Sequence, residues 1–242
     1  MPSFWRHVNK VLKEASIVIE VLDARSIEDT RHIEIENKIE GMGKKILYVI
    51  TKCDLVNLRD LKKGMKHLKP AVFISSKEKH GTTILKKKIL ELSKGESVTV
   101  AVVGYPNVGK SSLINALSGR GAARTSSESG YTKGMQKIKV DNKIMVLDTP
   151  GVYPHREKDM VKHGKIGAID YSKIKDPELV VLKLIEEKKN LIMKYYEVFE
   201  QDPELLLEKI AIKKKRLSKG GGPDLESASR LILKDWQTGK IK

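Results

Sequence analysis

The hydrophobic pattern of the first 175 residues alternates between a helical and a strand period. Apolar residues at intervals of three and four predict an opening helix over Trp5–Ala15, and the apolar run Ile17–Leu22 predicts a buried strand. Further strands and helices alternate over Glu28–Gly41, Lys45–Ile50, Asn57–Leu68, Ala71–Ile74, Thr82–Ser93, Val98–Val103 and Ser111–Leu117. This alternation predicts an α/β fold, a mostly parallel sheet with helices on both faces.

The pattern after residue 175 is helical throughout. Asp176-Pro177 and Asp202-Pro203 each combine a capping residue with a proline in the first turn, and Gly220–Gly222 separates them from a final helix. The inward positions are expected to be Val181, Ile185, Ile192, Tyr195 and Phe199 in the first of these helices and Leu225, Ala228, Ile232 and Trp236 in the last. We therefore expect two domains, an α/β domain over 1–175 and a small helical domain over 176–242.

A phosphate-binding loop is indicated at Gly104-x-x-x-x-Gly109-Lys110-Ser111, between a predicted strand and a predicted helix. Glycines let backbone N–H groups converge on phosphate oxygens, and the helix N-terminus adds partial positive charge. Lys110 is expected to face solvent without ligand and to reach the β- and γ-phosphates when they bind, while the Ser111 hydroxyl ligates magnesium. The nucleotide contacts predicted for this loop are Asn107, Val108, Gly109, Lys110, Ser111 and Ser112.

The strand predicted at Ile144–Leu147 runs into Asp148-Thr149-Pro150-Gly151. Asp148 is expected to hold the same magnesium ion, and the Gly151 N–H to meet the γ-phosphate. In the Ser/Gly/Arg-rich segment between Gly119 and Lys133, Thr132 is best placed to add a ligand to magnesium from a switch loop.

A guanine-reading site is indicated by Thr51-Lys52-Cys53-Asp54 and by Ser75-Ser76-Lys77, each at the end of a predicted strand. The Asp54 carboxylate accepts from guanine hydrogens that adenine does not offer. The Lys52 stem lies along the base, and the Ser75–Lys77 segment brings a backbone N–H to the guanine O6. These motifs precede the phosphate-binding loop, whereas an ordinary small GTPase has the reverse order, so we predict a circularly permuted P-loop GTPase domain.

The chain thereby resembles the circularly permuted GTPases that assist assembly of the large ribosomal subunit. The resemblance covers Val21–Arg25, the motifs above, Gly130–Thr132 and the segment from Gly222 to Lys240. It implies a GTP-hydrolysing switch that cycles between GTP and GDP with magnesium and acts on the large subunit or its precursor through rRNA. The catalytic residues it implies are Asn107, Lys110, Thr132 and Gly151, with Asn107 matching a P-loop asparagine that helps to bind potassium in related GTPases.

The chain departs from the family pattern in its guanine site and near its start. Thr51 stands where asparagine is usual, which removes a bracing amide, and Ser76 stands where alanine is usual. The His-containing motif of some bacterial members is not intact, so His7 inherits no role. Val152 occupies the position where many GTPases have a water-orienting glutamine, and slow intrinsic hydrolysis is expected, with stimulation by ribosomal particles.

The net charge of +16 points to a nucleic-acid partner. Residues 175–242 hold 15 basic and 12 acidic side chains, so +13 falls on residues 1–174. Lys213–Arg216 either grips RNA phosphate or forms a solvated helix face. No membrane span and no DNA partner are expected. The single cysteine, Cys53, is interpreted as a packing residue, and a cytoplasmic setting is expected. Two alternatives stay open, a GTP-dependent binding module and a GTPase of a non-ribosomal RNA or protein system.

Overall fold

The computed structural model describes residues 3–65, 67–119, 136–155 and 157–242. The chain divides between Glu157 and Lys158 into two compact units, earlier than the expected boundary after residue 175. The boundary is earlier because Ile169, Tyr171 and Ile174 pack into the apolar core of the C-terminal helices. Within the described ranges, no helix is both long and apolar enough to span a bilayer.

The first unit is built on one sheet of six strands in the order β3-β2-β1-β4-β6-β5. The strands are β1 Ile17–Asp23, β2 Lys45–Thr51, β3 Ala71–Phe73, β4 Val98–Val103, β5 Gln136–Lys139 and β6 Ile144–Asp148. All neighbours are parallel except β5 and β6, which form an antiparallel pair. The strand that leads into the glycine-rich loop, β4, therefore lies at the centre of the sheet.

Helices cover both faces of this sheet, as predicted. They are α1 Ser3–Glu14, α2 Ile27–Thr30, α3 Ile33–Gly41, α4 Leu58–Gly64, α5 Thr82–Leu92 and α6 Lys110–Ser118. On one face, α1 and α3 pack against strand residues such as Val18 and Ala101. Buried residues of the other parity, such as Ile19 and Val49, point to the opposite face.

The single helix expected over Glu28–Gly41 is wrong in detail, because the chain forms α2 and then restarts as α3. His32 caps α3 through its Nδ1, which accepts from the Ile35 N–H at 3.3 Å. The His32 N–H donates to the buried Glu20 carboxylate at 2.7 Å, so a side chain of β1 satisfies the amide at the break. The helix expected over Asn57–Leu68 is also shorter, since α4 ends at Gly64.

The second unit contains α7 Met160–Lys165, α8 Pro177–Tyr196, α9 Pro203–Lys213 and α10 Leu225–Gln237. The two helix starts predicted at Asp176 and Asp202 are confirmed, because each caps a helix through its side chain, and the final helix is capped in the same way by Asp224. The inward face predicted for α8 is wrong at its end, where Tyr195 and Phe199 are exposed. The helix departs from helical geometry at Lys188 and ends at Tyr196, followed by the C-cap residue Glu197 with a φ of 53°.

Candidate nucleotide-binding site

The candidate site lies along one edge of the sheet, where the parallel strands end. Register pairs Asp23 with Thr51 across β1 and β2, and Val102 with Asp148 across β4 and β6. In open parallel sheets, ligands bind at the carboxyl ends of the strands. The sheet therefore brings together motifs that are far apart in the sequence.

The glycine-rich loop is held close to the neighbouring strand. Gly104 has a φ of 146°, and a Cβ atom there would lie 2.6 Å from the Val21 carbonyl oxygen, so only glycine fits. Asn107 and Gly109 also adopt positive φ values, 61° and 101°, before α6 begins at Lys110. This path gives the loop the concave backbone that phosphate groups require and puts Ser111 and Ser112 in the first turn of α6.

Lys110 is buried in this structure, so the expectation that it faces solvent is wrong. Its Nζ donates to the carbonyl oxygens of Gly104 at 3.0 Å and Tyr105 at 2.6 Å. Burial lowers the pKa of the Lys110 ammonium to about 8, against the opposing effect of the Asp148 charge. In this structure, the ammonium is held by carbonyl groups of the loop itself. Phosphate oxygens carry negative charge and would be stronger acceptors than these carbonyls.

Asp148 ends β6 with a buried carboxylate, and neither oxygen has a hydrogen-bond partner in the described part of the chain. Burial raises the pKa of this carboxyl to about 6, although the Lys110 charge acts in the opposite direction. An orphaned carboxylate of this kind fits a hard divalent cation, and the hydroxyl expected to share the cation belongs to Ser111 in the first turn of α6. The described residues contain no group of three or more metal-binding side chains, so further ligands would have to be phosphate or water oxygens.

Gly151 packs directly onto the glycine-rich loop. A Cβ atom at this position would lie 2.6 Å from the Pro106 Cα and 3.0 Å from the Lys110 Nζ, which excludes any side chain. The next residue, Val152, is buried and donates its N–H to the Gly104 carbonyl at 3.2 Å. The backbone of Gly151 is therefore close enough to sense what the loop binds, and Val152 offers no polar group to a water molecule.

The segment after Gly151 is fastened to the loop by side chains that the sequence did not single out. The Tyr105 hydroxyl donates to the Glu157 carboxylate at 2.8 Å, and the Tyr105 ring stacks edge-on against Tyr153 at 6.1 Å. The His155 N–H donates to the Glu34 carboxylate at 2.9 Å. A tyrosine inside a phosphate-binding loop was the only sequence signal for this arrangement.

The predicted guanine-reading residues converge beyond the end of β2. Asp54 accepts a hydrogen bond from the Ser75 hydroxyl at 2.8 Å, which orients its carboxylate. Cys53 is buried, and burial raises the pKa of its thiol to about 11, consistent with a packing role. The Ser76 hydroxyl is buried without a hydrogen-bond partner in the described part of the chain, and the Lys77 side chain is exposed.

Lys52 is anchored by a buried acidic residue to which the sequence assigned no role. The Asp23 carboxylate, 2% exposed, accepts from the Lys52 Nζ at 2.7 Å and from the Arg25 guanidinium at 2.8 Å. Burial alone would raise the pKa of Asp23, but Lys52 and Arg25 hold it well below its ordinary value. The Lys52 Nζ also donates to the Asn107 carbonyl at 3.0 Å, which ties the base end of the site to the phosphate loop.

Thr51 stabilises the site through its hydroxyl, although it lacks the amide of the asparagine that is usual at this position. Its hydroxyl lies 3.0 Å from the Leu22 carbonyl oxygen and 2.5 Å from that of Val108. The expected loss of a bracing side chain is therefore offset, because a hydroxyl spans β1 and the glycine-rich loop. Thr132 lies outside the described residues.

Together, the sheet, the glycine-rich loop and the strand-end motifs define a P-loop GTPase whose motif order is circularly permuted. The family model described as RsgA GTPase matches residues 16–155. The model described as 50S ribosome-binding GTPase matches residues 99–213. The chain belongs to the RsgA GTPase family.

The chain is similar over nearly its whole length to proteins named as a GTP-binding protein and as a GTPase. An uncharacterised GTP-binding protein of Methanocaldococcus jannaschii is 40% identical over 97% of this chain and 65% of its own length. The GTPase grn1 of Schizosaccharomyces pombe is 30% identical over 99% of this chain and 61% of its own length. The chain thus spans somewhat less than two thirds of the length of these relatives. GDP-bound YlqF from T. maritima shares the fold, with a TM-score of 0.70 over 96% of this chain and 94% of that chain at 23% identity.

Proposed function

We propose that this protein is a GTP-hydrolysing switch that acts in the cytoplasm during assembly of the large ribosomal subunit by binding rRNA. The observation that carries the nucleotide part is the convergence of Lys110, Asp148 and Gly151 at one end of the edge and Asp54 at the other. The ribosomal part is supported by the family model of 50S ribosome-binding GTPases and by the net charge of +16.

The phosphate end would work by positioning and charge. Lys110 would exchange the Gly104 and Tyr105 carbonyls for phosphate oxygens, and the first turn of α6 would donate backbone N–H groups. Ser111, Asp148 and Thr132 would hold magnesium, which when bound neutralises charge that develops between the phosphates. The Gly151 N–H would meet the γ-phosphate, so loss of that phosphate would release the segment from Gly151 to Glu157.

The base end would select guanine. Asp54, oriented by Ser75, would accept from the guanine N1 and N2 hydrogens, and the Lys52 stem would cover the base. Ser75, Ser76 and Lys77 would present the backbone N–H that meets O6. The carboxylate would be misplaced for adenine, since it would face a ring nitrogen acceptor instead of a donor.

Hydrolysis would be slow without a partner, because the buried Val152 provides no group to orient water. Asn107 would contribute by helping to hold potassium near the phosphates, where a cation offsets transition-state charge. Ribosomal particles would complete or stabilise this arrangement and so accelerate the reaction. Residues 1–157 and Lys213–Arg216 would supply the phosphate contacts with rRNA.

Sedimentation with purified ribosomal subunits tests the proposal. Co-sedimentation with large-subunit particles is expected in a non-hydrolysable GTP analogue and should be weak in GDP. Asp54→Asn, which should prefer xanthine nucleotides, is expected to require the xanthine analogue for the same behaviour. Association that ignores the nucleotide would contradict a switch, and absence of association in every nucleotide state would favour the non-ribosomal alternative.

A further inference from the structure

An open cleft of about 420 Å³ lies in the second unit, beside the N-terminal half of α10. Its size falls within the range of small-ligand sites, roughly 300–1,000 Å³. It is lined by Tyr171, Arg216, Asp224, Glu226, Ser227, Arg230, Leu231 and Lys234. The cleft thus involves the segment from Gly222 to Lys240 that the sequence analysis singled out and the nucleotide site does not use.

The walls of this cleft are fixed by hydrogen bonds within the unit. The Asp224 N–H donates to the Arg216 carbonyl at 2.8 Å, which places Arg216 at the start of α10. Arg230 donates to the carbonyl oxygens of Tyr171 at 3.1 Å and Ser172 at 3.2 Å, while the Tyr171 N–H donates to Gln237 at 3.1 Å. The backbone of the cleft and the Arg230 side chain are therefore positioned before any ligand arrives.

The acidic groups of the cleft are already engaged. Asp224 accepts from the Ser227 N–H at 2.9 Å as the helix cap, and Glu226 accepts from Arg230 at 2.9 Å. Arg216 and Lys234 are exposed, and neither forms an ion pair within the described residues. The lining therefore holds three cations against two carboxylates, a net charge of +1, and Arg216 and Lys234 are the cations left to face a ligand.

The same cleft presents an aromatic surface next to those cations. The Lys234 Nζ lies 5.9 Å from the centre of the half-buried Tyr171 ring, and Leu231 adds an apolar contact. The exposed Lys213, Lys214, Lys215 and Lys219 continue the positive charge along the chain on both sides of Arg216. Single-stranded or looped RNA combines phosphate groups with bases that stack on aromatic rings.

We propose that this cleft binds one unpaired nucleotide of an RNA strand, with its phosphate on Arg216 and Lys234 and its base against Tyr171. This inference rests on the proposed function, because it takes RNA as the partner. An acidic peptide would satisfy the two cations but would leave the aromatic surface without a matching group. On this proposal, the C-terminal unit binds unpaired nucleotides of RNA through the cleft and also contributes positive charge.

The experiment compares variants of the full chain in binding to deproteinised large-subunit ribosomal RNA and to intact large-subunit particles. The cleft variant is Arg216→Gln with Lys234→Gln. The charge-matched control is Lys175→Gln with Lys194→Gln, two exposed lysines that do not line the cleft. Tyr171→Phe and Tyr171→Leu form a second pair, and thermal unfolding checks that each variant is folded.

Affinity for the RNA is expected to fall about tenfold or more in the cleft variant and in Tyr171→Leu, but by less than about threefold in the control and in Tyr171→Phe. Equal losses in the cleft and control variants would overturn the cleft while leaving rRNA binding intact. A loss seen only with intact particles would overturn RNA as the occupant in favour of a protein segment. If the unaltered chain bound neither RNA nor particles, the proposed function itself would be wrong.

Discussion

The two ends of the candidate nucleotide site differ in whether their buried carboxylates have hydrogen-bond partners. At the base end, the Asp23 carboxylate receives hydrogen bonds from Lys52 and Arg25 and is complete without ligand. At the phosphate end, Asp148 has no hydrogen-bond partner in the described structure, and the Lys110 Nζ donates to two carbonyl groups of its own loop. The base end is therefore preorganised, while the phosphate end requires a nucleotide and a cation to satisfy its charges.

The largest effect is expected from Lys110→Ala, which removes the buried cation of the phosphate end. Affinity for GDP and GTP should fall about a thousandfold, because truncating one partner of a buried charge pair costs about 4 kcal/mol. Titration with a fluorescent guanine nucleotide measures this change. Lys87→Ala, at an exposed lysine of α5, should bind as the unaltered chain does, and near-normal affinity in Lys110→Ala would remove that lysine from the phosphate site.

The contrast between the two carboxylates can be tested by comparing the free energies of unfolding of Asp23→Asn and Asp148→Asn in the absence of nucleotide. Asp23→Asn should lower the free energy of unfolding by about 3–5 kcal/mol, since it leaves the buried Arg25 and the half-buried Lys52 without their anion. Asp148→Asn should leave that free energy unchanged or raise it, because it removes a buried charge that lacks hydrogen bonds. Urea denaturation measures both values.

The order of the two variants should reverse when the measured quantity is the effect of magnesium on nucleotide affinity: Asp148→Asn should then be the more strongly affected. Asp148→Asn should lose the gain in affinity that magnesium provides, whereas Asp23→Asn should keep it at a weaker overall affinity. Equal destabilisation by the two substitutions would show that the phosphate end is as complete as the base end.

Glu20 extends the comparison, since this buried carboxyl lies on β1 three residues before Asp23 but has no cationic hydrogen-bond partner among the described residues. Burial, with the nearby Glu36 charge, raises its pKa from 4.5 to about 8. The folded state therefore holds a proton that the unfolded state releases, and stability should fall as pH rises from 4.5 towards about 8, by up to about 1.4 kcal/mol per pH unit.

Glu20→Gln should remove this dependence and be the more stable protein at pH 7, while its amide oxygen still accepts from His32. Denaturation midpoints measured across that pH range provide the check. Glu40→Gln, at an exposed position of α3, should leave the slope unchanged. Parallel pH profiles for the unaltered chain and Glu20→Gln would contradict the raised pKa.

The smallest effect is expected from Thr51→Val, which preserves the shape of the side chain but removes the hydroxyl between the Leu22 and Val108 carbonyls. Loss of this hydrogen bond should weaken guanine-nucleotide binding by about fivefold, equivalent to about 1 kcal/mol. Thr51→Ser keeps the hydroxyl and should stay close to the unaltered affinity. If valine were tolerated as well as serine, the hydroxyl would not brace the loop.

Amino-acid sequence alone was enough to predict the alternating α/β fold, the permuted order of motifs and the places of Lys110, Asp148, Asp54 and Gly151 within those motifs. Each of these depends on local pattern, either a run of apolar residues or a short motif at the end of a strand. The helix starts at Asp176 and Asp202 were also predictable, because a cap involves only its own first turn.

The pairing of buried charges between distant residues could not be predicted in this way, because it depends on how the strands and loops pack together. Asp23 meets Lys52 because β1 and β2 pair in register, and Lys110 turns inward because the loop curls over it. The fastening of Tyr105 to Glu157 and the cleft beside α10 likewise depend on chain segments far apart in sequence. Local pattern reports what a residue is suited to do, whereas its neighbours across the sheet and the helix bundle fix its charge, burial and partners.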